Sequence, residues 1–412
     1  MKETIKNFEI EFDRLLKLYL GKEEFDRLDL KFGPSKVESN RISEVINNFY
    51  KSQLEINIDS YNERIKIDRT ITFSEKQLNP DKFCEFLLDL GRLCISCGKL
   101  NFASEIFKKT KKSSKKTLYE AESLLELANV FSRKADWPRS LVTVHDAKKL
   151  FNTINYSFGL AKCYNVLGSI YGDRGDIEKA KKYFLKSLSF INPENDLEMA
   201  ANLNTNLGII DNIWGNKDDA NKHFKNALLI YEKLGYKKSM AEVYYNLGTT
   251  YLRSKDYDSA FDAFDAGIEI AKKGRYILIL CLIYLAKSQA LIAKDDINSA
   301  IVFVDKALEI SHNVDDKLTS ADIFKVKGII ERHLHNYKNS ENYLLNSLRI
   351  NNSLKNEMNA AETSFELGVL YEEINNTKSR NSYLESALKY YKRIQMTQKV
   401  KNIKIMLGLE LT

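Results

Sequence analysis

Val243-Tyr244-Tyr245-Asn246-Leu247-Gly248-Thr249-Thr250-Tyr251 has a counterpart two 40-residue periods earlier, Cys163-Tyr164-Asn165-Val166-Leu167-Gly168-Ser169-Ile170-Tyr171. Working outward from these two stretches, the leucine-glycine pair recurs on a 40-residue grid at Leu167-Gly168, Leu207-Gly208, Leu247-Gly248 and Leu367-Gly368, and Leu407-Gly408 continues it. Ala128, Ser288 and Gly328 occupy the other grid points, and Leu90-Gly91 stands one unit earlier after a 37-residue step. Small residues held in register at a period of about 20–50 residues mark a solenoid, in which each unit buries its apolar face only against its neighbours.

Three further columns keep the same register. A small one runs Ala103, Ser140, Ala180, Ala220, Ala260, Ala300, Ser340. Four residues on, a bulky one runs Phe107, Val144, Phe184, Phe224, Phe264, Val304, Leu344, Leu384. Three residues further, Ala147, Ser187, Ala227, Gly267, Ala307, Ser347 and Ala387 are small again. Spacings of three and four put the columns on one helix face. Helices cross closely where a small residue lets the backbones approach and a large neighbour fills the remaining space. Polar punctuation separates two helices within each unit, as at Arg174-Gly175-Asp176 and Ser254-Lys255-Asp256, and Asp176, Asp256 and Asp296 are expected N-caps of the second helix.

The leucine-glycine pair, the tyrosine three residues later, and the alanine, phenylalanine and alanine of the second helix together resemble the tetratricopeptide repeat. The resemblance covers about residues 84–394 in eight units (near 84–117, 121–154, 161–194, 201–234, 241–274, 281–314, 321–354 and 361–394) plus a final helix at 398–410. It implies an all-α fold, a right-handed α-solenoid of about eight helical hairpins over residues 81–412. The unit is longer than the usual 34 or so residues, so its extra residues lengthen either the second helix or the inter-unit loop. This long unit is similar to that of Pins/LGN-type adaptors and Rap-type bacterial regulators. Arg380 replaces the small residue in the last unit, as suits a terminal repeat facing water.

Residues 1–80 lie outside the grid. Phe8, Phe12, Leu15, Leu16 and Tyr19 predict an amphipathic helix, and Val45, Ile46 and Phe49 another. Ile65, Ile67, Ile71 and Phe73 alternate with polar residues as a strand would, but all-helical neighbours favour a helical bundle or cap.

Composition narrows the function. Apolar residues at 44% and charged residues at 29% describe a foldable chain, and only 4 prolines and 17 glycines favour helices with short turns. A net charge of +7 spread over 412 residues is too dilute to point to nucleic acid. No run of apolar residues is long enough to span a membrane, and Glu3, Glu9, Glu11 and Asp13 interrupt any leader-like core, so the cytoplasm is the expected compartment. Cys94-Ile95-Ser96-Cys97 has the spacing of half a zinc site, but no second pair follows and Cys94 occupies a core column. His333 and His335 fall in a turn. Neither a nucleophile triad nor a phosphate-cradling glycine loop is written in the chain, so no enzyme activity, metal or cofactor is expected. The basic run Lys108–Lys116 has no interleaved aromatics and reads as a solvated helix C-terminus.

The resemblance places ligand-facing positions on the first helix of each unit. In the third unit these are Lys162, Asn165, Val166, Ser169, Gly172 and Asp173; the fourth includes Asn202, Thr205, Asn206 and Asn212. The fifth supplies Glu242, Tyr245, Asn246, Thr249 and Arg253. Asparagine amides both donate and accept, which suits them to an extended peptide backbone. The co-chaperone arrangement for a C-terminal carboxylate is absent from three successive units, since Leu125 precedes Asn129 where lysine is needed and Val166 follows. The expected function is therefore binding of a protein or peptide segment in the concave groove, as adaptor or scaffold. The alternative is a Rap-like regulator in which the bound peptide repositions the N-terminal region. The oligomeric state is left open.

Overall fold

The computed structural model describes residues 2–32, 58–134, 136–311, 317–394 and 396–409. Among these every element is a helix and no strand occurs. The helix expected around Val45 and the Gly33-Pro34 break lie outside the described residues. Two helices precede the repeats: α1 (Lys2–Phe32, interrupted at Gly21) and α2 (Ile58–Gln77). The alternating stretch from Arg64 to Phe73 is thus helical.

Eight antiparallel hairpins follow. They are α3/α4 (Pro80–Ser96, Leu100–Ser113), α5/α6 (Thr117–Arg133, Trp137–Thr153), α7/α8 (Ser157–Asp173, Ile177–Leu188) and α9/α10 (Leu197–Trp214, Lys217–Leu234). Then come α11/α12 (Lys237–Arg253, Tyr257–Gly274), α13/α14 (Ile277–Ala293, Ile297–Ser311), α15/α16 (Lys317–His333, Tyr337–Ser353) and α17/α18 (Glu357–Glu373, Thr377–Arg393). A last helix, α19 (Thr397–Met406), packs on α18. Second helices of 17 or 18 residues at α6, α10, α12, α16 and α18 show where the long unit puts its extra length. α4 and α14 have 14 and 15 residues, and α8, with 12, is the shortest; a turn-rich loop through Pro193 takes up the difference there. By internal packing the chain forms two compact units, Met1–Gly159 and Leu160–Thr412. The sequence boundary near residue 80 separates non-repeat from repeat sequence, whereas the first compact unit holds α1, α2 and the two opening hairpins together.

The columns are the crossing points. A methyl added at Gly248 would stand 2.3 Å from the Phe264 ring, and the same approach recurs at Gly91 with Phe107 (2.3 Å) and Gly168 with Phe184 (2.5 Å). Where the first column already carries a Cβ, at Ala128 and Ser288, the matching bulky residues are the smaller Val144 and Val304. Volume is conserved across each crossing, as close packing requires. Serines in the columns add hydrogen bonds between the paired helices. Ser140 donates to the Ala128 carbonyl (2.7 Å), Ser288 to Ala300 (2.8 Å) and Ser340 to Gly328 (2.8 Å).

The expected N-caps are in place: Asp176, Asp256 and Asp296 accept from the backbone N–H groups of Lys179, Ser259 and Ser299. The residue before each cap turns the chain through positive φ, at Gly175 (+82°) but also at Lys255 (+61°), Asp295 (+63°) and His335 (+60°). Cys84, Cys94, Cys163 and Cys281 are buried, and Cys97 is half-buried at the end of α3. In the basic run, Lys109 pairs with Glu75 (2.8 Å), Lys111 with Glu120 (3.7 Å), and Lys116 with Asp81.

Candidate functional site

Within the second unit the first helices of successive hairpins present their polar face to a cavity of about 470 Å³. Its wall is built from the ends of α9 (Asn212–Gly215) and α11 (Arg253), the middle of α13 (Gln289), α15 (Lys325, Ile329) and α17 (Glu362, Phe365, Glu366). Tyr391 of α18 and residues Met396–Asn402, leading into α19, complete it. The first and last hairpins of this unit also meet: the Tyr390 hydroxyl donates to the Gly175 carbonyl at 3.1 Å, in a buried contact.

Charge along this face is arranged in pairs. Lys325, only 6% exposed, lies 2.7 Å from Glu362 and 3.3 Å from Asp322. Burial opposes charge on Lys325, but the Glu362 and Asp322 carboxylates outweigh it and hold the amine protonated. Burial likewise opposes ionisation of Glu362, and Lys325, with Arg253 next, overcomes it and lowers its pKa. Arg332 spans Glu366 (3.3 Å) and Glu373 (2.5 Å). Tyr245 faces this network half-buried; burial first, then Asp322, pushes its phenol up to about 12, with Lys325 and Arg253 opposing.

The ligand-facing residues expected from the sequence divide into three groups. Asn212 and Arg253 line the cavity, and the Arg253 guanidinium donates to the Asn212 carbonyl at 3.4 Å. Asn165, Asn206 and Asn246 are half-buried on consecutive first helices, and the Asn206 amide donates to Asn165 Oδ1 at 3.0 Å, so those two side chains satisfy each other. The Asn246 amide has no hydrogen-bond partner among the described residues. The remainder are engaged locally. Asn202 accepts from the Tyr231 hydroxyl (2.7 Å), Thr205 donates to the Ala201 carbonyl (3.0 Å), and Ser169 donates to the Asn165 carbonyl (3.2 Å). Thr249 receives the Asn212 amide at 3.4 Å. Glu242 is exposed and Val166 is buried.

Two segments of this unit, residues 161–192 and 198–273, match models of the tetratricopeptide repeat. These are tetratricopeptide repeats. No curated protein matches the chain in sequence. Solved structures do match in fold. A Rap protein complexed with competence and sporulation factor has 16% identity and a TM-score of 0.57 over 85% of this chain and 99% of that one. NprR in complex with its cognate peptide NprX has 11% identity and a TM-score of 0.56 over 79% and 99%. A chain of the APC/C hetero-tetramer Cut9–Hcn1 has 14% identity and a TM-score of 0.54 over 82% of this chain, which spans 59% of that longer one. At such identities the likeness is one of fold.

Tetratricopeptide register also accounts for the cavity residues that sequence reasoning missed. Gln289, Lys325, Ile329, Glu362, Phe365 and Glu366 occupy the same first-helix positions in the sixth to eighth repeats that Asn165, Ser169, Asn202 and Asn206 hold in the third and fourth. Extending the offsets three more repeats finds them. Tyr391 and Lys399 carry no such signal, because a second-helix column and a terminal helix bring them to the cavity. Among the described residues no helix is long and apolar enough to cross a membrane, and no cluster of metal-ligating side chains occurs.

Proposed function

We propose that this chain is a protein- or peptide-binding module whose partner segment lies along the concave face of the second unit, as in an adaptor or scaffold. The observation that carries this reading is the cavity itself, walled by polar side chains of five consecutive first helices. Its volume falls in the range of about 300–1,000 Å³ typical of ligand sites. Two proteins of the same fold were solved with a partner bound, the Rap protein with competence and sporulation factor and NprR with its cognate peptide, which supports the same use here. Asn246 and Tyr245 offer hydrogen bonds to an extended backbone, and Arg253 an anchor at the rim.

The test is capture of partners from native extract by the full chain and by Asn206→Ala/Asn246→Ala. An amide removed from a bound backbone leaves that backbone unsatisfied, so affinity should fall about tenfold or more. Stability should change little, since neither side chain fills a packing column. Unchanged affinity would move the partner away from this face.

The Tyr390–Gly175 contact favours a second reading, in which the ligand acts as a switch. A buried hydrogen bond joins the first and last hairpins of the unit, so a ligand that enters or is enclosed there changes the closure of the unit. Small-angle scattering with and without ligand should give two states of compactness for a switch and one for a scaffold.

A further inference from the structure

Each acid of the cavity has a cation at contact distance, whereas Arg253 and Lys399 lower the pKa of Glu362 only from beyond contact. Glu362 is held by Lys325 and Glu366 by Arg332. Arg253 and Lys399 are within salt-bridge reach of no carboxylate among the described residues. The one hydrogen bond from Arg253 is the 3.4 Å donation to Asn212, and Lys399 rests 4.7 Å above the Phe365 ring.

Two further groups face the same space. Lys399 belongs to the first turn of α19, whose N-cap, Met396, supplies no side-chain acceptor. The first N–H groups of that helix are thus uncapped and carry the positive end of its dipole. Tyr391, only 2% exposed, forms part of the cavity wall, and its hydroxyl is buried within that wall without a hydrogen-bond partner. Buried hydroxyls in native proteins are nearly always satisfied, so an orphan beside a cavity marks a place where a ligand supplies the acceptor.

We propose that this cavity is an anion subsite that seats the carboxylates of an acidic peptide segment between Arg253, Lys399 and the N-terminus of α19, with Tyr391 as a buried hydrogen-bond donor. It deepens the concave-face reading and rests on it. Two cations without a contact ion pair call for an acidic ligand, and the N–H groups of an uncapped helix N-terminus donate directly to carboxylate oxygens. The amides of Asn246 and Gln289 on the same face suit a peptide backbone better than a free inorganic anion.

The experiment is fluorescence anisotropy on the full chain. The probes are a labelled six-residue peptide alternating alanine and glutamate and its analogue with glutamine at each glutamate. The glutamate peptide should bind at least about tenfold tighter, as expected when charge-assisted hydrogen bonds are lost. Arg253→Gln/Lys399→Gln should erase that difference. Tyr391→Phe should weaken only the glutamate peptide while leaving the denaturation midpoint equal or higher, because the hydroxyl makes no bond in the free protein. Equal binding of both peptides to the wild type, or a glutamate preference that survives in the double variant, overturns the anion subsite and leaves the groove reading standing. Binding of neither removes both. Displacement by inorganic phosphate where equimolar succinate fails would overturn the assignment to carboxylates.

Discussion

In the first unit, the ligand-facing positions of the opening two repeats are filled by Glu85, Asp89, Arg92, Glu122 and Glu126, and each has a partner from the same unit. Tyr119 donates to Glu85 (2.9 Å), Tyr19 of α1 donates to Asp89 (2.7 Å), and Arg92 bridges Asp89, Glu122 and Glu126. α1 lies against this surface, with the Tyr19 ring edge-on to Phe86 at 5.5 Å and Phe12 and Leu16 fully buried. In the second unit the same register holds the paired Lys325 and Glu362, but also Arg253 and Gln289, which line the cavity without an ion pair, and Asn246, whose amide has no partner among the described residues. The repeat scaffold is common to both; what differs is whether the chain supplies its own occupant. The difference teaches that a groove position becomes a candidate site where its polar groups are left unmatched, not simply where the register puts it.

If the scaffold is shared, damage to it should be equal in the two units. Gly91→Ala and Gly248→Ala both drive a methyl against a phenylalanine, and each should cost about 1–3 kcal/mol in chemical denaturation. Phe264→Val should recover part of the loss in Gly248→Ala, since Ala128 with Val144 is the natural form of that pair. A Gly248→Ala protein as stable as wild type would remove the packing register from the account.

Groove charges should behave oppositely in the two units. Arg92→Ala removes an ion-pair partner from the buried Glu122 and from Glu126; because Arg92 is 40% exposed, the cost should be about 1–2 kcal/mol rather than that of a fully buried pair. Arg253→Ala should cost less, about 1 kcal/mol or below, since Lys325 stays in contact with Glu362 when the more distant Arg253 is removed. Equal losses would break the comparison.

The fold was largely legible because packing repeats. Gly248, Ala260 and Phe264 recur in register, and Asp176, Asp256 and Asp296 cap helices as their local sequence requires. The candidate site was legible only where it keeps the register. Asn212 and Arg253 follow from it, and Lys325 and Glu362 follow once the offsets are carried on. The mutual bond of Asn165 and Asn206 is a matter of side-chain distance across two helices, and no spacing encodes it. Tyr391 lines the cavity from a second helix, which the first-helix offsets do not reach.

A smaller effect sits in the turns. The first repeat turns on Gly98 (φ +75°), whereas the fifth uses Lys255 (φ +61°). A side chain in the left-handed region costs about 1 kcal/mol, so Lys255→Gly should raise stability by up to that amount, provided the added freedom of the unfolded chain does not cancel it. Urea titration of this variant checks the turn assignment.

A last effect is confined to alkaline pH. Tyr119 and Tyr245 are both raised from 10.0 to about 12, in each case chiefly by burial. A phenol whose folded pKa is raised favours folding in its neutral form. Its contribution is intact below pH 10 and is lost as the pH climbs towards 12. Tyr119→Phe and Tyr245→Phe should each flatten the fall in stability over that window, as measured by denaturation at a series of pH values.

Hydrogen–deuterium exchange of the full chain, free and with a captured partner, tests the central claim most directly. The account predicts new protection on α11, α13, α15, α17 and α19 and none on α3 or α5, whose groove positions are already matched. Protection confined to α3 and α5, or to the second helices of the hairpins, would contradict it.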